Sequence, residues 1–230
     1  MNVNELNTEK FRSCFAGKRA LVCLILAAAI GFAATVSAIG AETEKPASVA
    51  ADRQLPKGKQ TTLGLYVTAA QAYEKWKAAP DKVKLIDVRT PEEYAFIGHP
   101  EMAWNIPFAF VTYQRKGGKT EYGPKMNPDF VAEVKTIAGL TDTLLVTCRS
   151  GGRSAMAVNK LAAAGFKNVY NIIDGMEGDT VNDSESYYHG KRMRNGWMNA
   201  GLPWTYDLDP ALVWHPRKED MEKVKIALDL

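Results

Sequence analysis

The sequence predicts an α/β fold with a mainly parallel central sheet flanked by helices, and three observations lead there. Short apolar runs rich in Val, Ile and Leu alternate with helical patterns from Leu63 onward. Helix-starting and helix-ending residues, such as Pro91 and Gly165, fall between those runs. At 230 residues, 46% hydrophobic and 24% charged, the chain suits one well-filled soluble core and is short for two.

In order, the pattern gives an extended Leu63–Thr68, a helix over about Ala69–Ala78 and a strand Val83–Val88. A short helix opens at Pro91, a strand runs over Ala103–Ile106, and a helix covers Pro128–Ala138. The apolar strand Thr143–Thr147, a helix from Gly152 to about Ala164 and a strand Asn168–Ile173 follow, with a short helix at Trp197. No internal repeat is visible. Residues 111–127 and 178–196 are Gly-rich, polar and longer than ordinary connections, so they read as functional loops or disordered insertions in a domain spanning 63–208. In the tail, 209–230, Met221, Val224 and Leu228 stand at helical spacing.

Residues 1–41 read as a signal peptide. Lys18-Arg19 precedes an uncharged run that ends in small residues near Ala38 and Ala41, and the same run is long enough for an uncleaved membrane anchor. The expected location is therefore periplasmic or secreted, with membrane contact only if the leader stays. Residues 42–62, with Pro46, Pro56 and Gly58, read as a flexible linker. Removing the leader leaves 25 basic and 24 acidic side chains, a balance that disfavours nucleic acid as a partner. It also removes Cys14 and Cys23, so Cys148 has no disulfide partner within its own chain.

The chemistry gathers at Cys148-Arg149-Ser150-Gly151-Gly152-Arg153-Ser154, set between an apolar strand and a helix. That places Cys148 at the carboxyl end of a sheet strand, where open α/β sheets hold their ligands. The sulfur then faces a helix N-terminus, Gly151 and Gly152 permit a tight turn, and two arginines add positive charge; each favours thiolate over thiol. His189 and His215 lack companions for a metal site, and no cofactor is implied.

CRSGGRS after LLVT resembles the active-site loop of the rhodanese family. The resemblance extends to LIDVRTPEEY, Gly98-His99, AWNIPF, AMAVNKLAAAGF, NVYNIIDG and GWMNAGLPW, most of residues 65–206. It implies a three-layer rhodanese-like fold and a single-domain thiosulfate sulfurtransferase working by double displacement. Cys148 would take sulfane sulfur from thiosulfate or another small anionic donor and pass it to cyanide, a thiol or a protein acceptor. The amides of Arg149, Ser150, Gly151, Gly152 and Arg153 would hold the persulfide, with the Arg149 and Arg153 guanidinium groups steering the donor. Asp87 and Arg89 resemble a salt-bridged structural brace, and His99 a hydrogen-bonded turn residue. The chain departs from the family at His99-Pro100-Glu101-Met102 and at Asp174–Gly178, which form the pocket rim.

Two alternatives stay open. A rhodanese module that stores sulfur or binds a partner without turnover needs the same cradle. A cysteine phosphatase or arsenate reductase uses a similar loop, but with five residues between cysteine and arginine where this chain has four. The 178–196 insertion, with Tyr187, Tyr188, His189, Lys191, Arg192 and Arg194, reads equally as a lid or docking element and as a passive loop.

Overall fold

The computed structural model describes residues 55–216. After a 3-10 turn at Lys57–Lys59 comes β1 (Tyr66–Val67), and α1 (Ala69–Ala78) starts at once because Thr68 caps it. The Thr68 hydroxyl accepts the Gln71 amide while the Gln71 side chain accepts the Thr68 amide, which satisfies two donors that a helix start leaves unpaired. β2 (Val83–Asp87) enters α2 (Pro91–Ile97) by the same device, with Thr90 and Glu93 as the reciprocal pair and Pro91 in the first turn. β3 (His99–Pro100), β4 (Ala103–Asn105), β5 (Ala109–Lys116) and β6 (Lys119–Met126) precede α3 (Phe130–Ile137). β7 (Thr143–Thr147), α4 (Gly152–Ala163), β8 (Asn168–Ile172) and β9 (Trp204–Thr205) complete the order.

Five strands form one parallel sheet in the order β1, β8, β7, β2, β4. Its centre is apolar on both faces because successive side chains of a strand point opposite ways. Leu144 and Val146 join Ile86, Phe130, Val134, Val158 and Leu161 in the core beneath α3 and α4. Leu145 and Leu85 instead join Ala69, Ala72, Tyr94, Met176 and Trp197 beneath α1 and α2. The result is three layers, helix on sheet on helix. β2 lies on β7 from Val83 opposite Thr143 to Asp87 opposite Thr147, so both strands end level and their exit loops meet.

Four local expectations differ from the structure. The linker reading of 42–62 does not extend over its last residues: the Lys57–Lys59 turn packs near α4, and the Thr62 amide donates to Asn159 Oδ1 at 2.8 Å. Residues 111–127 are not an irregular insertion, because β5 and β6 pair in register from Ala109 opposite Met126 to Lys116 opposite Lys119. Gly117 and Gly118 both take positive φ there, as a tight two-residue hairpin turn requires. Around Trp197 the chain forms turns rather than a helix. The domain also continues past 208: Leu212 O accepts the Asn105 amide, and Trp214 donates from Nε1 to Glu133 and packs on Phe110. The expected leader (1–41), the first part of the linker and the helix over 217–230 lie outside the described residues.

Trp197 ties the segment after the 178–196 loop to the α1 core. It is fully buried, meets Tyr73 edge-on and donates from Nε1 to Pro203 O at 2.8 Å. Trp197→Ala is expected to cost about 3–5 kcal/mol of stability, read as a lower urea midpoint.

Candidate active site

Cys148 follows the last residue of β7 and is 2% exposed. Its sulfur accepts the Gly151 N–H at 3.2 Å and lies 3.4 Å from the Ser154 hydroxyl. Gly151 caps α4 in the left-handed region, at φ 91°, and a Cβ there would collide with the carbonyl of Ile173, so only glycine fits. The opposite wall is equally close: a Cβ on Gly175 would stand 2.6 Å from the Cys148 carbonyl oxygen. The loop carbonyls turn toward that wall. Cys148 O accepts the Met176 amide at 2.8 Å and Arg149 O the Glu177 amide at 2.9 Å.

Ser154 and Asn171 form the second layer, and both are fully buried. The single Ser154 hydroxyl hydrogen is shared between Cys148 Sγ and Asn171 Oδ1, which is 2.6 Å away. Asn171 in turn donates from Nδ2 to Gly151 O at 3.1 Å and to Lys59 O at 3.0 Å. One side chain on β8 thus fixes the glycine turn, the hydroxyl beside the sulfur and the N-terminal 3-10 turn.

Asp87 and Arg89 face each other at the end of β2, both with no exposed surface. Arg89 Nη2 reaches Asp87 Oδ2 at 2.6 Å and Gly98 O at 2.7 Å, and Nε contacts both carboxylate oxygens. Burial opposes the Arg89 charge, but Asp87 outweighs it and raises the guanidinium above its ordinary range. His99 lies under this brace, stacked on Tyr94 at 3.6 Å between ring centres, with Nδ1 3.0 Å from Tyr94 O. Burial depresses the His99 pKa.

The loop arginines part company. Arg149 is exposed, with no ion pair among the described residues. Arg153, expected to steer donor, is held by Glu93: Nη1 meets Oε2 and Nη2 meets Oε1, each at 2.6 Å. The same Oε2 accepts the Thr90 amide at 3.1 Å, so the helix cap of α2 aims the carboxylate at the arginine. Burial raises the Glu93 pKa, but the Arg153 hydrogen bonds and charge carry it below its ordinary value. Of the remaining loop residues, Ser150 is half-buried and Gly152 opens α4.

No local sequence pattern assigns Glu93, Ser154 or Asn171 to the site. Glu93 is 60 residues from Arg153, and only its cap position was visible locally. The 178–196 loop is closed at its neck, where Asp179 N–H donates to Asn195 Oδ1 at 2.7 Å and Arg192 Nη1 to Gly178 O at 2.7 Å. Lys59 Nζ binds Asp179 at 2.7 Å. Tyr187 and Tyr188 stay exposed beneath Lys191. Among the described hydrogen bonds and ion pairs, none joins residues 180–194 to the cysteine loop.

Two stability tests follow. Asp87→Ala leaves Arg89 charged, buried and without its carboxylate, and is expected to cost about 3–5 kcal/mol by denaturant melting. On acidification, the stabilisation from neutral buried His99 is complete above its ordinary value of 6.5 and is lost as pH falls toward its depressed folded value. The contribution of Glu93 is complete above 4.5 and is lost below it. The stability gap between wild type and Glu93→Gln, measured by urea melts down to about pH 3, therefore closes as pH drops below that value.

Comparisons with known proteins bear on this geometry. Residues 68–180 match the family model described as the rhodanese-like domain. Thiosulfate sulfurtransferase 16, chloroplastic, of Arabidopsis thaliana is 40% identical over 92 residues, 40% of this chain and 69% of that protein. Protein HIGH ARSENIC CONTENT 1, mitochondrial, from the same plant, is 37% identical over 92 residues, 40% of this chain and 49% of that one. Among solved structures, Rv0390 from M. tuberculosis is 30% identical, with a TM-score of 0.48 over 61% of this chain and 96% of its own. With a cysteine loop between β7 and α4 and a sulfurtransferase relative matched over more than two thirds of its length, this chain belongs to the rhodanese-like family.

Proposed function

We propose that the protein is a sulfurtransferase that carries sulfane sulfur as a persulfide on Cys148. The observation that supports this best is the environment of the sulfur, with the Gly151 N–H directed at it, the Ser154 hydroxyl beside it sharing its hydrogen with Asn171, and the carbonyls of Cys148 and Arg149 engaged elsewhere. In the first half-reaction the Cys148 thiolate attacks the outer sulfur of thiosulfate. A new S–S bond forms, the old one breaks, and sulfite leaves with the electron pair. In the second, cyanide or a thiolate attacks the terminal persulfide sulfur, and Cys148 leaves as thiolate. The scheme is covalent catalysis with ping-pong kinetics.

The proposed setting is outside the cytoplasm, on the strength of the leader pattern in residues 1–41. Once that leader, with Cys14 and Cys23, is removed, Cys148 remains available for sulfur instead of being tied up in a bridge within its own chain. The relative named for high arsenic content keeps arsenate among the assays. The engagement of Arg153 by Glu93 supports sulfur transfer over oxyanion chemistry, because it fills the fork that would clamp a tetrahedral oxyanion.

The test is intact-protein mass spectrometry after thiosulfate, then after cyanide. Wild type is expected to gain one sulfur atom and lose it again as thiocyanate, while Cys148→Ser gains none. Arsenate reduction that depends on Cys148, without any sulfur gain from thiosulfate or polysulfide, would sink the reading.

A further inference from the structure

Three arginines stand at the candidate site, and two are already neutralised. Arg89 is consumed by Asp87, with both side chains fully buried. Arg153 is consumed by Glu93 through two parallel contacts of 2.6 Å, in the fork geometry that a carboxylate satisfies completely. A third carboxyl group, Glu177, follows the β8 exit, where its amide binds Arg149 O. Its Oε1 is buried with no hydrogen-bond partner among the described residues, and its charge acts on Arg89. Arg149 is exposed, so water and salt screen it.

Dipoles therefore supply the positive potential at the sulfur: the Gly151 N–H, the start of α4, a helix end worth roughly half a charge, and in part the Ser154 hydroxyl that Asn171 shares. That suits one negative charge, the thiolate or the persulfide. A dianionic donor brings two more charges to a site where two of the three guanidinium groups are matched by carboxylates and the third, Arg149, is screened by solvent, whereas a monoanionic donor brings one.

We infer that Glu93 is a specificity-determining residue: by neutralising Arg153 it selects sulfane donors with a single negative charge over dianions. The inference rests on the sulfurtransferase reading. Glu93 acts through Arg153 and does not touch the reacting atoms. The favoured donors are organic thiosulfonates, hydropersulfides and other monoanions, and thiosulfate is a poor substrate by comparison.

The experiment compares thiosulfate with benzenethiosulfonate. Both give their outer sulfur to the Cys148 thiolate, and sulfite or benzenesulfinate departs with the electron pair. The readout is the ratio of kcat/KM for the two donors within each protein, with cyanide as acceptor. A loss of stability or of general activity cancels in that ratio. Wild type should favour the thiosulfonate. Glu93→Gln, which removes the charge while an amide oxygen remains for the Thr90 amide, should raise the thiosulfate-to-thiosulfonate ratio by about tenfold or more. Arg153→Gln, which leaves Glu93 unpaired, should lower it. Ratios within about twofold of wild type in both variants, with sulfur still loading on Cys148, overturn the inference and leave the sulfurtransferase reading intact. Failure of both donors to load sulfur on Cys148 in wild type removes the inference and the sulfurtransferase reading together.

Discussion

A buried sulfur at the end of a strand holds negative charge only if N–H groups face it and no carbonyl does. A turn of five residues carries as many carbonyls as amides, so the carbonyls need acceptor duties elsewhere. The close approach of the β7 and β8 exits provides them. Met176 and Glu177 donate their amides to Cys148 O and Arg149 O, and Asn171 donates to Gly151 O. The approach depends on Gly151 and Gly175, since a Cβ at either position would meet the opposing backbone. Sheet register, strand length and both glycines serve this one contact between two backbones.

From that contact the constraint spreads outward. Asn171 hands the loop to Lys59 through its backbone oxygen, and the Lys59 side chain binds Asp179 at the neck of the 178–196 loop. The N-terminal turn at Lys57–Lys59 lies upstream of the matched family residues, and most of the 178–196 loop lies downstream. The turn is fastened to the cysteine loop from behind through Asn171, and its Lys59 holds the neck of the 178–196 loop, so the site stands partly on a segment outside the matched residues. The Asp87–Arg89 brace plays the same part on the other side, where Arg89 pins the Gly98 carbonyl at the end of α2 and thereby sets where α2 presents Glu93.

How much of this the sequence discloses depends on the range of the interaction. The parallel sheet was legible because strands covered on both faces are apolar nearly throughout, as in Thr143–Thr147, and because α2 starts on a proline. The cysteine loop was legible because its residues are contiguous. The β5–β6 hairpin was not, because Gly117-Gly118 among lysines and threonines reads as polar loop unless the two-residue turn is weighed first. Trp214 on Phe110 and Leu212 under Asn105 were hidden by a tail rich in charge. Glu93 with Arg153 and Lys59 with Asp179 join residues 60 and 120 positions apart, and no local pattern encodes either pair.

The same distinction separates what the loop can do from what it is suited to do. A cysteine and an arginine at the mouth of an α/β strand serve oxyanion and sulfane chemistry alike, so the contiguous motif alone does not choose. Oxyanion transfer needs a guanidinium free to pair with developing charge on two oxygens, because that charge is where the transition state gains its stabilisation. Sulfane transfer needs only that one negative charge, moving from the cysteine sulfur to the outer sulfur, stay near fixed donors. Here the Arg153 fork is filled by Glu93, and donors are present in the Gly151 N–H and in the Ser154 hydroxyl, whose hydrogen is shared with Asn171. The long-range pair, invisible in the motif, thus favours the proposed sulfur chemistry at a loop that is otherwise ambiguous.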